Sequence, residues 1–216
     1  NGRSLPGAQL LGVELASAGE SRLLASDAYC RGGDLVASYA DARLRPNVVQ
    51  IYWRVEPAPV GALAEIDLEV SVQTSLLDSD PAQWTCSRLP AGELFYTPLA
   101  TSGFSPIGSE TGAVELDKRS SPLDSAPASC WLVRLPETSV SYAEMVHPAD
   151  FWVSRLHERT AGGERRLRHQ LFVSRLEKGV ILRARIRGVF VSRDDDCAQA
   201  AAAYRRFVES PPPLTT

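Results

Sequence analysis

The stretch that decides the fold class is residues 48–55, which read VVQIYWRV. Every second residue is apolar and belongs to one face: Val49, Ile51, Trp53 and Val55. Residues 66–74 (IDLEVSVQT) repeat this pattern. Successive side chains of a β-strand point to opposite faces, so each stretch predicts a strand with one buried face. Two prolines and a glycine in residues 57–61 predict a hairpin connection between the two strands.

Alternation of the same kind recurs along the chain. It predicts further strands at residues 10–15, 21–25, 34–40, 93–96, 113–116, 131–135, 140–146 and 151–158. A long β-hairpin is predicted over residues 171–191, because two apolar-rich strands flank residues 177–179 and Gly179 suits the positive φ of such a loop. The paired glycines of residues 30–34 and 161–164 also predict hairpin corners. Many strands with few helical repeats predict a large antiparallel β-sandwich.

One α-helix is predicted at about residues 194–209. It begins with three aspartates that can cap free amides, and Asp196 with Gln199 has the spacing of a capping box. Its apolar stripe at helical spacing is Ala200, Ala203, Tyr204 and Phe207. Prolines at 211–213 end it. The fold class predicted is therefore mainly β, with a C-terminal helix packed on the sandwich.

Length and composition set the class of protein. The chain has 216 residues, of which 44% are hydrophobic and 23% charged, which excludes global disorder and fits a single β-sandwich domain over residues 1–216. Residues 97–130 are irregular and rich in serine and proline, as in a functional or mobile loop. No apolar run reaches the roughly 18–20 residues of a membrane span. The net charge of −3 argues against a nucleic-acid partner.

The basic residues are almost all arginine, since 21 of the 23 are Arg. A codon bias explains this abundance, so it does not by itself indicate anion binding. The charge is uneven, with −7 in residues 1–130 (9 basic, 16 acidic) and +4 in residues 131–216 (14 basic, 10 acidic). Such a division is typical either of two surfaces with different partners or of two sheets with complementary rims.

Four cysteines are scattered along the chain: Cys30, Cys86, Cys130 and Cys197. None has the close spacing of a zinc or redox motif, so no metal site is predicted. The even count permits two disulfides, while scattered cysteines are also typical of buried free thiols in a cytosolic protein. No signal-peptide pattern is visible, and the chain starts without Met, so a cytoplasmic location is an expectation that leaves the compartment open.

The most prominent polar feature is a row of arginines, Arg183, Arg185 and Arg187, on one face of a predicted strand. Three guanidiniums in a row repel one another unless carboxylates or an anionic ligand lie opposite. Two interpretations follow. The row is either a solvated face paired with Asp or Glu of neighbouring strands, or a surface that binds a small acidic ligand.

A second polar face lies on the strand at residues 48–55, where Gln50, Tyr52 and Arg54 point the same way, with Gln73 on the adjacent strand. Sugars bind to flat aromatic rings flanked by planar hydrogen-bonding groups, so these residues are candidate carbohydrate ligands. The alternative is a rim of solvated side chains.

Candidate catalytic residues cluster around His147, with Glu144 and Asp150 within seven residues of sequence. A histidine with two carboxylates can serve as an acid–base cluster, or the histidine is simply held in a loop by a local hydrogen bond. His157 and His169 lie on arginine-rich alternating strands and are expected at the surface. No nucleophile elbow, phosphate loop or dinucleotide fingerprint occurs, and no cofactor is predicted.

The many antiparallel strands, the long predicted hairpin at 171–191 and the polar-aromatic face of Gln50, Tyr52 and Arg54 resemble the super-sandwich of galactose mutarotase-like proteins. In that family a glutamate and a histidine act on the sugar, but no motif assigns those roles to positions in this chain. The resemblance implies carbohydrate binding and leaves catalysis undecided. We expect an acidic ligand on a concave sheet face. The alternative is a non-catalytic structural or protein-interaction domain.

Overall fold

The computed structural model describes residues 8–15, 24–40, 46–90, 92–98, 103–107, 113–117, 129–158 and 164–211. Some sequence predictions lie wholly or partly outside these ranges: residues 21–23 of the strand predicted at 21–25, the glycine turn at 161–163, and most of the irregular segment at 97–130. Residues 24 and 25 are described and are not part of a strand.

The described chain forms two antiparallel sheets and one helix, which confirms the predicted fold class. The small sheet has the order β1-β6-β13-β12-β9, and the large sheet has the order β2-β3-β4-β5-β14-β11-β10-β7-β8. The strands are β1 Gln9–Glu14, β2 Asp27–Arg31, β3 Asp34–Tyr39, β4 Asn47–Glu56, β5 Ala64–Thr74, β6 Gln83–Leu89, β7 Leu94–Pro98, β8 Ser105–Pro106, β9 Ala113–Asp117, β10 Ser129–Arg134, β11 Val140–Val146, β12 Val153–Glu158, β13 Arg165–Leu171 and β14 Ile181–Ser192.

The sheets pack through the apolar faces that the alternation predicted. β4 and β5 pair as the expected hairpin, and Val49, Ile51 and Val70 are almost completely buried between the sheets. The chain changes sheets seven times between successive described strands, and β14, near the end of the sequence, is the central strand of the large sheet. The residues of the core therefore come from distant parts of the sequence.

The predicted helix is α1 Asp196–Glu209, and it packs on the outer face of the large sheet. Its buried apolar residues are the predicted stripe: Ala200, Ala203, Tyr204 and Phe207. The predicted capping box is wrong. Asp196 is buried and accepts hydrogen bonds from Arg134 and Ser141, while Gln199 Nε2 donates to the carbonyl of Asp194. Within the described ranges, no helix has the length and apolar character that a membrane span requires.

The long hairpin predicted over residues 171–191 is wrong. β13 ends at Leu171 in the small sheet, and β14 belongs to the large sheet, so the two strands do not pair. Phe172 adopts a left-handed φ of 57°, which ends β13, and Leu176 instead forms a bridge with Ser79. The turn itself is present, with Gly179 at a φ of 89°. Alternation predicted the second strand of the hairpin, which is β14, but residues 172–176 of the predicted first strand do not form a strand, and alternation carries no information on which sheet a strand joins.

Candidate functional site

The two predicted ligand-binding sets lie on the same outer face of the large sheet. β5 lies between β4 and β14, and the pairing aligns the three strands row by row. The three rows are Gln50–Ser71–Arg183, Tyr52–Glu69–Arg185 and Arg54–Asp67–Arg187. Gln73 extends the same face of β5 and is exposed. The carboxylates of β5 thus separate the arginine row of β14 from the polar-aromatic row of β4.

The β4 residues of this face hydrogen-bond with their neighbours. The Tyr52 hydroxyl donates to Gln50 Oε1 at 2.5 Å, and Gln50 Nε2 donates to the Ser38 hydroxyl at 3.1 Å. Arg54 binds both carboxylate oxygens of Asp34, at 2.7 and 3.1 Å. This ion pair lowers the pKa of Asp34 below its usual value. Partial burial raises the pKa of Tyr52, so its hydroxyl stays a hydrogen-bond donor at neutral pH.

The arginines at 185 and 187 are paired with protein groups and lie beneath the end of α1. Arg187 binds both oxygens of Asp67, at 2.6 and 2.8 Å, and approaches the buried Glu65 at 3.4 Å. Arg185 donates to the carbonyl of Pro211 at 2.8 Å. The Phe207 ring lies 4.9 Å from the guanidinium of Arg187. Burial is the largest single effect and lowers the pKa of Arg187, but the Asp67 hydrogen bonds together with the negative charges of Asp67, Glu65 and Glu56 outweigh it, so the pKa is raised.

A pocket opens where β14 extends past the end of β11. The pairing of the two strands stops at Val146 and Ile186, and the pocket lies beside the unaccompanied part of β14. Its volume is about 290 Å³. It is lined by Ala149, Asp150, Phe151, Trp152, Phe172, Val173, Ser174, Leu182, Arg183 and Ala184. We call it the β14 pocket.

Two charged residues of opposite sign line the β14 pocket. Asp150 Oδ2 accepts a hydrogen bond from the backbone N–H of Arg185 at 3.0 Å. The carboxylate thus replaces the backbone carbonyl that a paired strand would supply at this position. Burial raises the pKa of Asp150 despite its contacts with Arg185. Arg183 lies 3.6 Å from Glu69, measured from Nε to Oε1, and burial raises the pKa of Glu69. Both carboxylates are therefore easier to protonate than in water.

The three candidate catalytic residues do not form one cluster. His147 and Asp150 are joined by a backbone turn, in which the Asp150 N–H donates to the His147 carbonyl. His147 Nδ1 accepts from the N–H of Ala149, and Nε2 donates to the carbonyl of Val208 at 3.2 Å, as in a neutral ring. Burial and Arg185 lower the pKa of His147. Glu144 instead points into the space between the sheets, where it is 1% exposed.

Glu144 belongs to a polar network inside the sandwich that the sequence reasoning missed. Its Oε2 accepts from the hydroxyls of Ser87, at 2.5 Å, and Tyr142, at 2.7 Å, while Oε1 lies 3.1 Å from His169 Nε2. The Ser154 hydroxyl lies 2.7 Å from His169 Nδ1. The expectation that His169 lies at the surface is therefore wrong, because it is fully buried. His157 is exposed, as expected.

The chain Ser154–His169–Glu144 has the hydrogen-bond order of a nucleophilic triad. All three residues are at most 1% exposed, so no substrate reaches the serine, and we assign the network to sheet-to-sheet packing. Ser154 and His169 lie in phase with the inward-facing Leu156 and Leu167 of their strands. That phase was the sequence signal for their burial.

The described residues contain no group of three or more His, Cys, Asp and Glu placed to hold a metal ion. All four cysteines are free thiols: Cys30 is exposed, Cys197 half-buried, and Cys86 and Cys130 buried. Burial raises the pKa of Cys86 to about 11 and raises that of Cys130 further. A thiol is a nucleophile as its thiolate, so the buried pair is unreactive at neutral pH.

No protein-family model and no curated protein matches the chain. Among solved structures, it is similar to the GH36 alpha-galactosidase AgaA from Geobacillus stearothermophilus, with a TM-score of 0.49 and 10% identity over 86% of this chain and 28% of that one. It is also similar to a putative aldose 1-epimerase from Klebsiella pneumoniae subsp. pneumoniae MGH 78578, with a TM-score of 0.45 and 10% identity over 82% of this chain and 54% of that one.

The sequence resemblance to galactose mutarotase-like proteins concerns architecture, and the similarity to the putative aldose 1-epimerase is of the same kind. Both TM-scores are below 0.5, and the chain spans only about a quarter to a half of the two proteins. The similarities therefore carry no argument about activity or ligand, which has to come from the residues of the site.

Proposed function

We propose that this protein binds a carbohydrate in the β14 pocket and favours sugars that carry an acid group. The observation that carries the proposal is the set of residues that line the pocket, which combines the aromatic Trp152 and Phe172 with the charged Asp150 and Arg183; Phe151 also lines it but is only 2% exposed. Ligand pockets are typically apolar and aromatic with a few well-placed polar groups.

Each type of side chain in the pocket suits one part of a sugar. Aromatic rings pack against the C–H faces of a pyranose ring. The Asp150 carboxylate accepts hydrogen bonds from sugar hydroxyls. The Arg183 guanidinium presents a planar fork that fits a carboxylate with two parallel hydrogen bonds, which accounts for the preference for acidic sugars. A volume of about 290 Å³ suits a single sugar unit.

The proposed function is binding and does not include a catalytic step. His147 has a hydrogen-bond partner on each ring nitrogen, and Glu144 is buried in the core network. Of the three candidate catalytic residues, Asp150 is the one that lines the β14 pocket. A single carboxylate is enough to orient a sugar hydroxyl but supplies only one of the two groups that most acid–base reactions on sugars use.

Titration calorimetry with glucuronate and glucose tests the proposal, because the two ligands differ only in the acid group. We expect glucuronate to bind more tightly. Arg183→Ala should weaken glucuronate roughly tenfold or more and glucose much less. The matched control is Arg54→Ala, which removes an arginine from the same sheet face but outside the pocket. Ser174→Trp, which fills the pocket mouth, should abolish both. Binding that survives Ser174→Trp would place the ligand elsewhere.

The second candidate function is a non-catalytic structural or protein-interaction domain. It is favoured by the pairing of Arg185 and Arg187 with Asp150 and Asp67 under the end of α1, which is the arrangement expected of a structural ion-pair row. No response on a glycan array that includes uronic acids, together with a stable oligomer in light scattering, would favour this candidate over carbohydrate binding.

A further inference from the structure

The edges of the two sheets differ in how they are protected from other strands. The large sheet ends on one side at β8, which has two residues, one of them Pro106. In the small sheet, β1 carries a bulge between Gln9 and Gly12, and β9 carries Glu115, which pairs with Arg155. Short strands, prolines, bulges and charges are the usual means of preventing a sheet edge from pairing with another chain.

The fourth edge of the described sheets is β2, which has no proline and no bulge within Asp27–Arg31, although just before it the Ser26 N–H also donates to the carbonyl of Ser38. Its five residues, DAYCR, pair regularly with β3 and are all exposed. Its two charges are of opposite sign and stand at opposite ends, Asp27 at the beginning and Arg31 at the end. Charges deter pairing with most strands but not with a strand whose charges are complementary, so among the described residues β2 is an edge that a strand of matching pattern can join.

The turn that joins β2 to β3 fixes which backbone groups face outward. Two glycines, Gly32 and Gly33, separate the closing pair Arg31 and Asp34, so this pair exchanges both of its hydrogen bonds. Hydrogen-bonding direction alternates along a strand. The N–H and C=O groups at positions 27, 29 and 31 therefore point to β3, and those at positions 28 and 30 point away from the sheet.

An antiparallel copy of β2, placed about a two-fold axis at Tyr29, matches this edge in hydrogen bonding. Ala28 of each copy then stands opposite Cys30 of the other, and these are the residues whose backbone groups point outward. Two such pairs supply four hydrogen bonds. The two Tyr29 residues form the central pair without hydrogen bonds, in which side chains approach most closely.

The same register matches the charges. Asp27 of each copy stands opposite Arg31 of the other, so both ends of the pair bring opposite charges together on the outer face. On the opposite face of the sheet, Leu35 of β3 stands beside Cys30 of β2 and is 45% exposed, so a strand added at β2 would lie close to this apolar side chain. An isologous contact must be complementary to itself, and this strand satisfies that condition in hydrogen bonding and in charge.

We propose that two copies of this chain associate through antiparallel pairing of their β2 strands, centred on Tyr29. The two large sheets become continuous across the two-fold axis, and the polar-aromatic face of β4 runs from one subunit towards the other. This association is independent of what the β14 pocket binds, since the pocket lies on the far side of β4 and β5 from β2.

The first test removes an outward-facing donor while leaving the subunit intact. Ala28→Pro deletes an N–H that points away from β3, so it costs no hydrogen bond within the subunit. Analytical ultracentrifugation should show a dimer for the wild type and for the control Ala28→Ser, and a monomer with an unchanged circular-dichroism spectrum for Ala28→Pro. A wild type that is monomeric at its highest soluble concentration overturns the proposal, as does a dimeric Ala28→Pro.

The second test reads the register by cross-linking. In a Cys30→Ala background, Tyr29→Cys places two thiols across the axis at a Cα separation of about 4.5 Å, which permits a disulfide. Mild oxidation should convert most of this variant to a covalent dimer, whereas Ser38→Cys on β3 should remain monomeric on a denaturing gel. Equal cross-linking of the two variants overturns the proposed register.

The third test exchanges the charges. Asp27→Arg alone brings two like charges together at each end and should weaken the dimer roughly tenfold. Adding Arg31→Asp restores opposite charges and should return the dissociation constant to near the wild-type value. A double variant that dimerises no better than the single variant contradicts the predicted pairing of positions 27 and 31.

Discussion

Replacing Glu144 by alanine tests whether the buried network holds the two sheets together. Glu144 reaches from the large sheet to Ser87 and His169 of the small sheet, and it also accepts from Tyr142 of its own strand. Each of these partners is at most 1% exposed. The substitution therefore leaves three buried polar groups without their partner and opens a cavity between the sheets.

The expected cost follows from these contacts. A buried donor that loses its acceptor costs about 1–3 kcal/mol, and removal of one member of a buried charged cluster costs about 3–5 kcal/mol in total. We expect Glu144→Ala to lower the free energy of unfolding by about 3–5 kcal/mol. That is a large share of the roughly 5–15 kcal/mol that stabilises a typical domain.

Glu144→Gln is the matched control. Its amide oxygen can accept from Ser87 and Tyr142, as Oε2 does in the wild type, and its NH₂ group faces His169. The imidazole then carries its proton on Nδ1 and donates to Ser154. Every partner keeps a hydrogen bond, so the expected loss is about 1 kcal/mol or less.

Urea unfolding followed by tryptophan fluorescence and by far-ultraviolet circular dichroism measures both variants. Coincident transitions show that the two-state analysis applies. An alanine variant within about 1 kcal/mol of the wild type would refute the structural role of the network. A glutamine variant as unstable as the alanine variant would show that the negative charge, rather than the hydrogen bonds, matters.

Three further predictions concern single positions. Because burial lowers the pKa of His147 below its ordinary value of 6.5, the unfolded chain takes up the proton first as the pH falls. Stability should therefore drop as the pH falls through about 6.5 and below, and the drop should be smaller in His147→Asn, as measured by urea midpoints. Gly188→Ala should lower the free energy of unfolding by about 1–3 kcal/mol in the same assay, because the added Cβ would lie 2.7 Å from the Tyr142 hydroxyl. An unchanged urea midpoint would contradict this close packing. Iodoacetamide at neutral pH should label the exposed Cys30 rapidly and the two buried cysteines only on unfolding, which mass spectrometry of native and denatured protein would show or disprove.

The period-two patterns predicted the strands whose inward residues are apolar, as in β4 and β5. They failed at β6, where the inward positions are Gln83, Thr85 and Ser87. These side chains are buried because they make polar contacts across the sandwich, as Ser87 does with Glu144. When the buried face is polar, the hydrophobic alternation is lost, so an argument from alternation cannot find such a strand.

The sequence predicted which side chains of the candidate site share one face of a strand. It did not predict the pocket. Alternation predicted that Gln50, Tyr52 and Arg54 share one side of β4, and that Arg183 shares a side with its neighbours on β14. That these two strands lie on either side of β5 follows from sheet order, which local sequence does not contain. The aromatic wall of the pocket depends on Phe172, whose left-handed conformation no pattern predicted.

The position of β14 also determines when the protein can fold during its synthesis. The large sheet is incomplete until β14 enters between β5 and β11, and just over a hundred residues separate β5 from β14 in the sequence. At roughly 5–20 residues per second, the ribosome needs about 5–20 s to add them. During that interval β5 has an open edge on the side that β14 later fills. Folding is therefore governed by pairings between distant segments, which makes it slow, and the nascent chain is most exposed to aggregation and to chaperones just before its last strand emerges.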